Sequence, residues 1–217
     1  MKGRVMLHGA LLGLALLLVA CKAGDARLAA YPLPEGLRAM IAMGGQIYEL
    51  EVTDVSGPTA TFQYHWNDRL VSERTQYRGL YSLSGYDGAL QFINDFDTAA
   101  IDALFPLAVG KETSFAGTTS YPAGGMTGTL WVTMSVLEKT NLAIREGTFA
   151  VYLIRVTTEL TIDGRTKRVT RILYYAPALG LPLKMDMSDG NARSYWRITS
   201  LEMPSRGRRN RLGTVMI

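Results

Sequence analysis

Few side chains in this chain are equipped for chemistry. It holds one cysteine, Cys21, and two histidines, His8 and His65. A Ser-His-Asp or Cys-His site in the body of the protein would have to use His65. That residue sits between Gln63 and Asn67 on the polar side of an alternating run, with no Gly-x-Ser-x-Gly elbow elsewhere, and reads as a surface histidine. Zinc chemistry needs several His and Cys ligands, which the composition does not supply. Asp95 and Asp97 fall on one side of an extended segment, but the glycine and distal glutamate of a calcium loop are missing. Asp186-Met187-Ser188-Asp189-Gly190 opens like such a loop, yet its glycine comes one place early and Arg197 stands where a bidentate Glu belongs. Gly117 to Gly128 is rich in Gly and Thr without a phosphate-cradling pattern, and reads as a mobile loop between two strands. The expectation is therefore no catalytic residue, no cofactor and no metal site.

Cys21 has a different context. It ends the apolar run Leu14-Ala15-Leu16-Leu17-Leu18-Val19-Ala20-Cys21, with Lys2 and Arg4 ahead of it. A charged start, a short apolar stretch and small residues before a cut describe a secretory signal peptide. Val5 to Ala20 is interrupted by His8 and Gly9 and falls short of the roughly 18–20 residues that span a bilayer. Leu18-Val19-Ala20-Cys21 resembles the lipobox of bacterial lipoproteins. That resemblance implies a diacylglyceryl group on the Cys21 sulfur, cleavage before Cys21, and acylation of the new amino group, usually by palmitate or a similar chain. Membrane attachment would then rest on two or three acyl chains, which hold where one alone is marginal. Lys22, where an Asp would favour inner-membrane retention in that family, implies sorting onward to an outer membrane, facing the periplasm.

The expected organisation is a signal peptide over 1–20, a tether over 21–35, one domain over 36–204 and a basic flexible tail over 205–217. Lys2 and Arg4 leave with the signal, so 21 cations remain against 19 anions, and four of those cations lie in Arg206-Gly207-Arg208-Arg209-Asn210-Arg211. The body is slightly acidic, with no basic face to track a phosphate backbone, so nucleic acid is not an expected partner. The tail could touch anionic headgroups, but a solvated terminus is the simpler reading.

From Gly45 onward the hydrophobic period is two. Ala60, Phe62, Tyr64 and Trp66 alternate with Thr61, Gln63, His65 and Asn67. Tyr48, Leu50 and Val52 form another apolar face, as do Leu130, Val132, Met134 and Val136, and later Ala192, Ser194, Trp196 and Ile198. Asp87-Gly88, Asp163-Gly164 and Asp189-Gly190 each separate strand-like runs, and such pairs favour tight hairpins. Phe149 to Ile162 begins apolar on both faces, as a covered central strand would. Thr98 to Phe105 has helical spacing stopped by Pro106, and Leu37 to Met43 could make a helical turn or two. These patterns predict a mainly-β domain of about ten or more strands. Its antiparallel, strongly curved sheet would form a half-barrel or a sandwich, with one or two short helices.

Tyr152, Tyr174, Tyr175, Tyr195 and Trp196 gather in the C-terminal half, near Met185, Met187 and Met203. They suit an apolar pocket for acyl chains or a hydrophobic partner, and equally a plain β core, the commoner use of such residues. Phe105-Pro106-Leu107-Ala108-Val109-Gly110-Lys111, Gly147-Thr148-Phe149-Ala150-Val151-Tyr152 and Tyr174-Tyr175-Ala176-Pro177-Ala178-Leu179-Gly180-Leu181-Pro182-Leu183-Lys184 resemble an uncharacterised group of bacterial periplasmic proteins and lipoproteins. The group has a Tyr-Ala-Pro-x-x-Gly-x-x-x-Lys strand-turn-strand and no assigned chemistry. A more distant architectural likeness is to lipoprotein carriers, whose curved sheet holds acyl chains. The expected function is a non-catalytic binding or scaffolding module, lipid-anchored in the cell envelope. The alternatives are a carrier of an apolar ligand, an accessory subunit of an envelope assembly or secretion machine, and a carboxylate-based hydrolase.

Overall fold

In a computed structural model, residues 31–87 and 90–204 are described. Cys21, most of the tether, Gly88 and the basic tail lie outside them. Among the described residues twelve strands follow one another: β1 (Arg38–Met43), β2 (Gln46–Ser56), β3 (Thr59–Trp66), β4 (Arg69–Tyr77), β5 (Tyr81–Asp87) and β6 (Leu90–Phe96) come first. After the short helix α1 (Ala99–Asp102) come β7 (Glu112–Tyr121), β8 (Met126–Ile144), β9 (Gly147–Ile162), β10 (Arg165–Ala176), β11 (Leu181–Ser188) and β12 (Arg193–Glu202).

Each strand pairs antiparallel with its successor, and β12 returns to pair with β1, so the sheet is a closed up-and-down barrel rather than a half-barrel or sandwich. The closing strand is β1, Arg38–Met43, within the Leu37–Met43 segment whose spacing suggested helix. Ala39 and Ile41 are buried on one side of it, in register with Leu50 and Tyr48 of β2. Closure removes both sheet edges and satisfies their backbone groups. Register shifts at Met40/Ile41, Val52/Asp54, Tyr64/His65 and Tyr174/Tyr175 bend the strands around the circumference.

The alternating pattern places its apolar face inside. Leu50, Val52, Phe62, Leu130, Val132 and Met134 are all buried. Outward neighbours are polar and pair across strands: Arg38 with Glu51 at 3.2 Å, Gln63 with Glu73 at 2.7 Å, Arg168 with Glu159 at 3.6 Å. The outer face also carries exposed Met40, Ile47, Ile93 and Trp131, so it mixes polar pairs with apolar side chains. Each exposed pair contributes no more than about 1 kcal/mol.

The Gly117–Gly128 stretch corrects the loop expectation. It is the end of β7, a single 3-10 turn at Pro122–Gly124 and the start of β8. A Cβ on Gly117 would lie 2.5 Å from the Asp95 carbonyl oxygen, and one on Gly128 2.6 Å from that of Thr161. These glycines serve close backbone approach. Asp163 and Gly164 both have positive φ, as the predicted hairpin requires. β9 begins exposed at Gly147, Thr148 and Ala150, against the covered start its composition implied, and burial sets in at Val151 and Ile154, which belong to different clusters.

The Tyr-Ala-Pro turn joins β10 to β11. Gly180 takes φ +72°, and a Cβ there would meet a Tyr31 ring carbon at 2.8 Å and Pro32 at 3.2 Å. Gly180→Ala is expected to lower stability by about 1–3 kcal/mol, from left-handed strain and collision combined. An unchanged urea midpoint would contradict that origin. Lys184, which ends the motif, lies opposite Tyr174 with its Nζ 4.4 Å above the ring and 2.9 Å from Asp186. The motif thus clasps a turn.

Candidate ligand-binding lumen

The two ends of the barrel differ. One end, the floor, carries the β4–β5 turn at Arg78–Leu80, the Tyr-Ala-Pro turn and the α1 connection. Ile101 and Leu104 of that connection are fully buried among Tyr77, Leu80 and Tyr175. Arg78 locks it in place. The Arg78 Nε donates to Asp102 Oδ1 at 2.5 Å, its guanidinium lies 4.7 Å from the Phe105 ring centroid, and the Tyr77 hydroxyl donates to Asp102 Oδ2 at 2.7 Å. Burial, then that bond to Asp102, raises the Tyr77 pKa above its ordinary value. Tyr31 enters at the same end, against Gly79 and Gly180, and burial raises its hydroxyl's pKa strongly. Pro204 lies 3.4 Å from where a Gly36 Cβ would be, so both limits of the described body are at the floor.

The other end is a mouth formed by the tight hairpins after β1, β3, β5, β7, β9 and β11. From it a cavity of about 640 Å³ runs into the barrel. An eight-stranded barrel is just filled by its own side chains, whereas twelve strands enclose a wider interior. The volume is within the roughly 300–1,000 Å³ of small-molecule sites. Tyr48, Tyr64, Leu160, Met185, Met187 and Trp196 supply apolar wall. Of the aromatic and methionine set read from the sequence, Met185, Met187 and Trp196 therefore line a cavity. Tyr152 and Tyr175 belong to packed core, whereas Tyr195 and Met203 are exposed. Met43, Ile47, Trp66, Leu70, Leu90 and Met126 flank the mouth hairpins and are exposed, giving the opening an apolar rim.

Deeper in, the wall becomes polar. Thr119 donates to Asn94 Oδ1 at 2.7 Å, Asn94 donates to the Ser82 carbonyl at 2.8 Å, and the Tyr81 and Thr158 hydroxyls are 3.4 Å apart. Two cations join this belt. Arg74 of β4 lies 5.7 Å from the Phe92 ring centroid, and Arg171 of β10 faces Tyr81. Burial lowers the Arg171 pKa, Tyr81 opposes that shift, and the like charge of Arg74 adds to it. No carboxylate among the described residues forms an ion pair with Arg171, and none of the described lining residues is Asp or Glu. Sequence reading passed over Arg171, although its signal was present: Val169, Arg171, Leu173 and Tyr175 alternate, so the arginine occupies an inward position in an apolar face.

Of the described His and Asp residues first weighed for chemistry, none lines this lumen, and Asp189 reaches only Lys167 at its rim. His65 is half-buried on β3 opposite Glu49. Asp97 accepts from the Ala99 N–H at 2.9 Å ahead of α1. Asp186 pairs with Lys184, and Asp189 accepts from the N–H groups of Asn191 and Ala192 and pairs with Lys167 at 3.2 Å. These contacts hold Asp189 below its ordinary pKa, the backbone bond from Ala192 foremost. Among the described residues no three potential metal ligands converge.

The barrel is similar to the hypothetical lipoprotein YmcC of Escherichia coli, with a TM-score of 0.52 and 12% identity over 80% of this chain and 89% of that one. The fold is that of an uncharacterised lipoprotein, the kind of group the sequence motifs resemble. An exported protein of Bacteroides fragilis described as having a YmcC-like fold matches with a TM-score of 0.46 and 9% identity over 81% and 100% of the two chains. A lipoprotein of Parabacteroides distasonis matches with 0.43 and 9% over 79% and 97%. No family model and no curated protein matches the sequence. At such identities the likeness is one of fold, and function must be argued from the site.

Proposed function

We propose that this protein is a lipid-anchored envelope barrel that binds an elongated apolar ligand in its lumen without transforming it. The observation that carries this reading is the cavity of about 640 Å³, walled by Tyr64, Leu160, Met185, Met187 and Trp196 and entered past an apolar rim. Acyl chains fit both the shape and the chemistry of such a space. The anchor is Cys21, and Lys22 favours the periplasmic face of an outer membrane. The test is uptake of a fluorescent fatty acid by mature protein carrying Cys21→Ser and made without residues 1–20. Saturation near one equivalent, with a bound lipid seen by native mass spectrometry, is expected. No uptake and no bound lipid would remove the carrier reading.

Blocking the mouth gives a second check. Ser194 lines the opening and is exposed, so it accepts bulk without disturbing the core. Ser194→Trp is expected to weaken uptake about tenfold, or about 1.4 kcal/mol, with thermal stability unchanged. Equal affinity in the variant would place the ligand elsewhere.

The exposed rim favours one further reading, a docking edge for another envelope protein. Photo-crosslinking from position 66 in cells discriminates, and recovery of monomer alone would count against docking.

A further inference from the structure

Arg171 is out of keeping with its surroundings. Its neighbours along β10 are Val169 and Leu173, and its cross-strand partners are Val156 on β9 and Met187 on β11. All four are apolar. Arginine does not give up its proton in proteins, so its charge must be met where it stands. An isolated cation held among apolar groups is costly, and the usual remedy is a counter-charge with matching hydrogen bonds. The described residues provide Arg171 with a hydroxyl neighbour, Tyr81, but no carboxylate. The charge that acts on it is a second cation, Arg74, which has interactions of its own. Arg171 and the Tyr81–Thr158 hydroxyl pair therefore meet in a cavity whose described lining contains no acid.

Between this belt and the mouth the wall is mainly apolar, with Leu160, Val169, Met187 and Leu90 beside Ser194 and Lys167. From Arg171 the strand continues outward through Val169 to Lys167, four residues and about 13 Å along β10. Lys167 is engaged by Asp189 at the rim and is mostly exposed. A polar, cationic interior below an apolar shaft selects a ligand that enters head first.

We infer that the lumen holds a single-chain amphiphile with an anionic head, its acid group received by Arg171 beside Tyr81 and Thr158 and its chain lying along Leu160, Met187 and Trp196 toward the mouth. This rests on the lumen being a binding site, and adds the class of ligand. The bond is charge-assisted and can be bidentate, which makes it both strong and directional. An alcohol of equal chain length would fill the shaft and leave Arg171 unmet.

The experiment compares palmitate, hexadecanol and hexadecyltrimethylammonium on the same mature protein. Palmitate is expected to bind at least about tenfold more tightly than hexadecanol, and the cationic amphiphile weakest. In Arg171→Gln the acid and the alcohol should bind alike, with the alcohol's affinity unchanged. Arg171→Lys keeps the charge and should retain part of the preference, which guards against a variant that loses shape. In the empty protein Arg171→Met is expected to raise the thermal midpoint, because it removes an unmet cation. If wild type binds acid and alcohol equally, or Arg171→Gln keeps the preference, the head-group assignment is overturned while the lumen reading stands. If none of the three probes binds, the lumen reading fails and this inference falls with it.

Discussion

Arg78→Ala is expected to destabilise the protein by about 3–5 kcal/mol, the usual consequence of breaking a buried ion pair by removing one partner. Arg78 is 6% exposed and takes a positive φ of 50° at the turn between β4 and β5. Its N–H donates to the Pro58 carbonyl at 2.6 Å, and that bond survives the substitution. What is lost is the guanidinium between Asp102 and the Phe105 ring. Asp102 would then keep its charge with only the Tyr77 hydroxyl to meet it. Ile101 and Leu104, each contributing about 1.5–3 kcal/mol by burial, depend on the same segment staying in place. A fall in urea midpoint at unchanged slope is the expected reading. The double substitution Arg78→Met with Asp102→Leu should recover much of the loss, because the uncompensated charge goes with its partner. A single-variant loss below about 0.5 kcal/mol would mean that the pair does not hold the floor.

Cys21→Ser is expected to abolish labelled palmitate incorporation and release the body from membranes. Two or three acyl chains bind a bilayer firmly, at about 0.8 kcal/mol per buried methylene, and serine offers no thiol to carry the thioether-linked pair. The assay is sedimentation at high salt. Salt matters because Arg206, Arg208, Arg209 and Arg211 could hold a soluble form to anionic headgroups, an attraction that about 1 M salt screens to within about 3 Å. A serine variant that still pellets and still takes up label would refute anchoring at this position.

Strand positions were legible because their signal is local. Alternation of period two put Leu50, Val52, Phe62 and Met134 on one face, and the barrel buries that face. Asp163-Gly164 carried its own turn geometry, and so did Pro177 with Gly180. Closure was not local. It depends on β1, a strand of six residues, and with Leu37 just before it Met40, Ile41 and Met43 also satisfy helical spacing. Read as helix, that segment leaves β2 and β12 as free edges, and an open sheet follows. The glycines of Gly117–Gly128 misled for a related reason. Composition records their flexibility but not the carbonyls of Asp95 and Thr161 packed against them. The lumen was half visible. Met185, Met187 and Trp196 were singled out as pocket or core, and only the width of a closed twelve-stranded wall decides between those uses. Arg171 needed both facts, an inward phase and a hollow interior, before its charge carried meaning.

Tyr31 and Pro204 both leave the body at the floor, opposite the mouth. Nine residues separate Tyr31 from Cys21, ten Cα-to-Cα steps spanning at most about 35 Å when fully extended. Were Cys21 rooted in a bilayer as proposed, the barrel would stand on its floor with the mouth turned toward the aqueous gap. The proposed cargo would then have to be handed over from above, by a donor approaching from the facing membrane or from solution.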